Sequence, residues 1–120
     1  MKTLYKIPLF LIGLLAFSTF HAQAQTETDT TLIVNGVCHM CKMTIENAAE
    51  IKGVSQVEWD VDSKVLALVY NPEITSLEAI SQAINNSGYD TEIDTAPEEA
   101  YQSLHKCCHY RDPEVVKEHQ

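Results

Sequence analysis

The stretch Val57-Glu58-Trp59-Asp60-Val61-Asp62-Ser63-Lys64-Val65-Leu66-Ala67-Leu68-Val69-Tyr70 lies near the middle of a 120-residue chain and decides how its flanks are read. Val57, Trp59 and Val61 alternate with Glu58 and Asp60, the period of a strand with one wet face and one dry face. Asp62-Ser63 supply turn chemistry, and Val65 to Tyr70 form a second, more continuous apolar run. The two runs predict a β-hairpin.

Helical periodicity flanks this hairpin on both sides. Before it, Ile45, Ala48, Ala49 and Ile51 recur at helical spacing from Cys41, with Gly53 placed to end the helix. Leu32 to Val34 form a short strand upstream. After it, Thr75 and Glu78 make a capping box, Leu77, Ile80 and Ile84 define one helical face, and Gly88 ends the segment. Tyr89 to Ile93 supply a last strand. The order βαββαβ predicts an α+β, ferredoxin-like sandwich in which two helices cover one face of an antiparallel sheet.

Cys38-His39-Met40-Cys41 falls at the junction between the first strand and the first helix. Two sulfurs at this spacing can converge on one soft metal ion, and the positive end of the following helix favours their thiolate forms. A disulfide, a redox pair or a structural zinc site uses the same spacing, so spacing alone leaves all of these open.

The N-terminus has the layout of a secretory leader. Lys2 and Lys6 give a positive start, Pro8 to Phe20 an apolar stretch too short for a comfortable span, and Ala22-Gln23-Ala24 a small-residue cleavage site. The expected division is a leader at 1–24, a linker at 25–29, the domain at 30–94 and an extension at 95–120. A periplasmic or secreted location follows, with no membrane-spanning segment once the leader is gone. Eight basic side chains oppose seventeen acidic ones, a net charge of −9. Without Lys2 and Lys6 the balance is six against seventeen, or −11, which disfavours nucleic acid as a partner.

Several elements together resemble the heavy-metal-associated domain family of copper chaperones, periplasmic mercury-binding proteins and N-terminal modules of copper pumps. They are Cys38-x-x-Cys41, Gly53-Val54, Val57-Glu58-Trp59-Asp60, Val69-Tyr70, Ser76-Leu77-Glu78-Ala79-Ile80, and Ile84 followed by Gly88-Tyr89, spanning about Thr30 to Asp94. The resemblance implies Cys38 and Cys41 as metal ligands. The family loop usually reads Gly-Met-x-Cys-x-x-Cys. Here only Val37 separates Gly36 from Cys38, so Val37 or Met40 is expected to replace the packing of the absent methionine, with burial of Met40 against the core favoured over thioether ligation. His39 is expected to face solvent. Tyr89 occupies a place near the metal loop, where its hydroxyl can reach a sulfur, and Trp59 is read as a core residue.

The extension departs from the family pattern. Ala100, Tyr101 and Leu104 have helical spacing and predict an added short helix. Then His105-Lys106-Cys107-Cys108-His109 collects soft donors suited to copper or zinc. The expectation is that the tail folds back and lends Cys107 or Cys108 to the Cys38 and Cys41 site, or captures a second ion with help from His109. A disulfide or a free acidic tail is the plain alternative.

The resulting expectation is a carrier or scavenger of a soft metal, Cu(I) first, with Hg(II) as the principal alternative and Zn(II) only if further ligands join. A metal transporter or efflux component is the implied partner, and a monomer or a metal-bridged dimer the implied assembly. Thiol–disulfide exchange is a separate alternative. No hydrolase spacing and no phosphate-binding glycine loop is found, so an enzyme is not expected.

Overall fold

The computed structural model describes residues 26–120; the expected leader lies outside them. Its elements are β1 (Thr28–Ile33), α1 (His39–Ala49), β2 (Val54–Trp59), β3 (Val65–Tyr70), α2 (Leu77–Asn86), α3 (Glu98–Gln102), a single 3-10 turn (Lys106–Cys108) and α4 (Pro113–Glu118). The three strands form one antiparallel sheet in the order β1-β3-β2, with the hairpin's second strand central.

Register places the apolar side chains in rows. Leu66 faces Leu32 on one side and Trp59 on the other, and Leu68 pairs with Thr30 and Val57. Leu32, Trp59, Leu66 and Leu68 are all buried. Each such side chain contributes about 1.5–3 kcal/mol through removal from water. Cys41, Ile45 and Ala49 of α1 and Ile80 and Ile84 of α2 close over them. Successive residues four apart put these side chains on one stripe, so the stripe that builds the core also carries Cys41 inward.

Several boundaries differ from the sequence reading: β1 begins earlier than Leu32 and ends at Ile33, and β2 begins before Val57 and ends at Trp59, which leaves Val61 in the turn. α1 starts at His39, so Cys38 is its N-cap; it ends at Ala49, and Gly53 (φ 99°) serves the turn into β2. Ser76 caps α2, its hydroxyl accepting from the Ala79 N–H at 3.1 Å, while the Thr75 N–H, the donor that a Thr75–Glu78 capping box would use, goes to the Asn71 carbonyl. The last strand shrinks to one bridge, Val34 with Thr91. The Thr91 hydroxyl accepts from the N–H groups of Ile93 and Asp94 and bends the chain away from the sheet edge. Glu92 partly compensates, since its carboxylate accepts from the Ile33 N–H at 2.9 Å where a strand carbonyl would stand. Helix α2 does end as expected, with Gly88 at φ 108° just beyond its C-cap Ser87.

The extension forms three short helical pieces rather than one, and it is fastened to the domain. Arg111 forks onto Asp90 (Nη2 to Oδ1 2.7 Å, Nε to Oδ2 3.2 Å), with Nη1 on Glu98 and the guanidinium 4.2 Å above the Tyr101 ring. The Tyr110 hydroxyl donates to the Gly88 carbonyl and accepts from the Asp90 N–H, and its ring stacks on Tyr89 at 5.6 Å. A Cβ on Gly88 would stand 2.8 Å from the Ala100 carbonyl oxygen, so the close approach of the tail requires glycine there. No helix among the described residues is long and apolar enough to cross a membrane.

Candidate metal centre

The loop between β1 and α1 rests on Trp59. Its indole N–H donates to the Val34 carbonyl at 3.0 Å, and a Cβ on Gly36 would stand 2.9 Å from the ring. Sequence reading placed Trp59 in the core and missed that it is the floor of the cysteine loop. Val37 is buried and Met40 is 44% exposed, so Val37 supplies the packing and the expected burial of Met40 does not occur. Helical geometry explains this: Met40 precedes Cys41 by one position, and Cys41 already faces the core. His39 is exposed.

Three sulfurs converge above that floor. Cys38 Sγ lies 3.3 Å from Cys41 Sγ and 3.6 Å from Cys108 Sγ, and all three fall within 4.8 Å of one another. All four cysteines are free thiols. An ion about 2.3 Å from three sulfurs in one plane needs them about 4.0 Å apart, and a tetrahedral arrangement needs slightly less. Small side-chain rotations bring the set to either spacing. Cys41 and Cys108 are buried and Cys38 partly so, which makes Cys38 the most exposed sulfur of the three.

The remaining tail donors stand apart from this group. Cys107 Sγ lies 3.9 Å from Cys108 Sγ and 3.7 Å from the Met40 sulfur, on the exposed side. The His109 ring packs against Tyr101 at 5.0 Å, with Nε2 3.0 Å from the Leu104 carbonyl. A carbonyl only accepts, so Nε2 carries the proton and is unavailable to an ion. Adjacent residues in a 3-10 turn diverge by about 120°, so one cysteine of the pair can face inward while its neighbour cannot.

The three thiols differ in proton affinity. Burial acts against the Cys41 thiolate, but the backbone at Val37, the Tyr89 hydroxyl and the two neighbouring sulfurs outweigh it and hold its pKa below the ordinary thiol value. Burial raises Cys38. Cys108 is raised more strongly, by burial and then by Cys41 and Cys38. Cys41 is therefore the first of the three to give up its proton, and a soft cation that binds all three expels the others. Tyr89 is fully buried; its hydroxyl stands near enough to the sulfurs to act on their charge but makes no hydrogen bond of good geometry among the described residues. Burial, then the Cys41 sulfur, push its pKa far up, so it remains a neutral donor beside the cluster. Such a hydroxyl beside thiols is what a charged metal–thiolate group would satisfy.

Comparison with known proteins gives the same neighbourhood. The heavy-metal-associated domain profile matches residues 31–90. The periplasmic component of the mercuric transport protein of Shewanella putrefaciens is 28% identical over 94 residues, covering 78% of this chain and 98% of that protein. Copper chaperone CopZ of Staphylococcus haemolyticus is 33% identical over 54 residues, 44% of this chain and 79% of that protein. Oxidized MerP from Ralstonia metallidurans CH34 superposes with a TM-score of 0.53 at 25% identity, covering 56% of this chain and 96% of that one.

Proposed function

The chain belongs to the heavy-metal-associated domain family, and from that premise we propose that it binds Cu(I) through Cys38, Cys41 and Cys108 and passes it on to a metal transporter or efflux component in the periplasm. Binding and transfer of a heavy metal is the activity its relatives share. The observation that carries the reading to Cu(I) is the group of three free sulfurs within 4.8 Å, with no carboxylate or imidazole in the group. Thiolates are soft ligands that favour Cu(I), and three of them match its trigonal coordination. Zn(II) would require a fourth donor; of the two imidazoles next to these cysteines in sequence, His39 is exposed and the Nε2 of His109 is turned to the Leu104 carbonyl.

Hg(II) is the second reading, and the similarity to the mercuric transport component favours it. It too is held by two or three sulfurs. The leader-like N-terminus and the similarity to a periplasmic component support the same compartment. The chain acts as a carrier: the ion changes ligands, and no bond of a substrate is broken.

Anaerobic competition titrations of the reduced protein with Cu(I), Hg(II) and Zn(II), each against a chelator of known affinity, test the proposal. Cu(I) binding at one equivalent per chain that withstands the chelator, with Zn(II) lost to it, is the expected result. Hg(II) binding without competitive Cu(I) binding would transfer the proposal to mercury, and no tight binding of either would refute it.

A further inference from the structure

Five sulfurs form a chain that runs from the core to the surface. From Cys41 it passes to Cys38 at 3.3 Å, to Cys108 at 3.6 Å, to Cys107 at 3.9 Å and to the Met40 thioether at 3.7 Å. Its two ends differ in exposure: Cys41 and Cys108 are buried and Cys38 partly so, whereas Cys107 is exposed and Met40 is 44% exposed. Each step is close to the sulfur spacing of a two- or three-ligand soft-metal site, about 4.0 Å at a metal–sulfur distance of about 2.3 Å. An ion can therefore move along the chain without ever losing sulfur contact.

We infer that Cys107 and Met40 form an outer thiolate–thioether landing that takes the ion from Cys108 and presents it to an acceptor. The inference rests on the soft-metal reading of the buried trio. It answers a difficulty of that trio: two of its three sulfurs are buried and the third, Cys38, is only partly exposed to an acceptor thiolate. Cys108 is the shared ligand. The bond from the ion to Cys107 sulfur forms as the bond to Cys41 or Cys38 breaks, the Cys107 proton passes to water, and the released thiolate regains a proton from water. No electron moves. Met40 adds a neutral third donor that binds weakly enough to be displaced by an incoming thiolate. The tail is fixed by Arg111, Tyr101 and Tyr110, so the two donors stay in register with no ion bound.

The test measures two quantities on the same reduced, full-length, Cu(I)-loaded protein: equilibrium affinity against a chelator, and the rate at which a chromogenic dithiol acceptor withdraws the ion. Cys107→Ser and Met40→Leu are expected to leave affinity within a factor of about two and to slow withdrawal about tenfold or more, with the double variant no slower than Cys107→Ser alone. Met40 is exposed and Cys107 faces solvent, so neither change disturbs the core. Unchanged rates in both variants at unchanged affinity would overturn the landing while leaving the trio intact. An affinity loss in Cys107→Ser as large as that in Cys108→Ser would overturn it too, by making Cys107 an ordinary ligand of the buried site. Failure of the wild-type protein to hold Cu(I) would remove the premise and the landing together.

Discussion

Cys108 Sγ stands 3.6 Å from Cys38 Sγ across a sequence separation of 70 residues. The extension after Asp94 is thereby part of the cysteine site, and removing its sulfur has a different consequence from removing a loop cysteine. Cys108→Ser is expected to lower Cu(I) affinity about tenfold or more while leaving a two-thiolate site. Cys38→Ser combined with Cys41→Ser is expected to abolish chelator-resistant binding. Competition titration of the three proteins side by side checks both.

The tail latch has its own prediction. Arg111 makes a forked pair with Asp90, whose side chain is only 16% exposed, and it covers the Tyr101 ring. Arg111→Met should cost about 1–3 kcal/mol of unfolding free energy, since it strands a mostly buried carboxylate. It should also weaken Cu(I) binding through the loss of Cys108 from the site. Denaturant unfolding and metal competition on the same variant separate the two effects.

The same pair sets an acid limit. Burial acts to raise the Asp90 pKa, but the hydrogen bonds and charge of Arg111 and the backbone at Ala96 outweigh it and hold the carboxyl below the ordinary carboxylate value. Tyr110, Tyr101 and Glu98 are the other titratable groups facing this pair. A depressed folded-state pKa means that its stabilisation is fully present above the unfolded value, about 3.9, and is lost as pH falls through the folded value. Wild-type protein should therefore lose stability below about pH 4 more steeply than Asp90→Asn, as read from denaturant midpoints across that range.

Tyr89→Phe tests the unpartnered hydroxyl. Without metal the hydroxyl is buried and unsatisfied, so its removal should be neutral or stabilising by about 1 kcal/mol. With Cu(I) bound, the loss of a donor beside the charged thiolates should lower affinity by a few-fold, about 1 kcal/mol or less. A thermal melt with and without Cu(I) reads both signs.

Much of the domain was legible from local signals. The alternation through Val57 and Trp59, the apolar run Val65 to Tyr70 and the i,i+4 stripe Cys41, Ile45, Ala49 are each short-range patterns that fall within an element, although Val61 lies beyond the end of β2. Gly88 was readable as a helix stop because its φ of 108° is a local property. The last strand misled because Tyr89 to Ile93 has strand composition, while the Thr91 hydroxyl turns the backbone two residues later. The capping residue of α2 slipped by one because Thr75 and Ser76 offer the same chemistry, and it is the Ser76 hydroxyl that meets the Ala79 N–H.

The site was legible as an inventory but not as a geometry. Cys107, Cys108 and His109 are visible as soft donors, yet which of them turns inward depends on the phase of one 3-10 turn and on the Asp90–Arg111 pair, 21 residues apart in sequence. Met40 was equally invisible as a surface donor, since its proximity to Cys107 spans 67 residues. Nothing periodic encodes such separations.

X-ray absorption at the copper edge of the Cu(I)-loaded wild-type protein and its Cys108→Ser variant tests the central claim most directly. The account predicts three sulfur ligands at about 2.2–2.3 Å in the wild type and two, at a shorter distance, in the variant. Two sulfurs in both proteins, or nitrogen and oxygen neighbours in the wild type, would contradict a three-sulfur site completed by the tail.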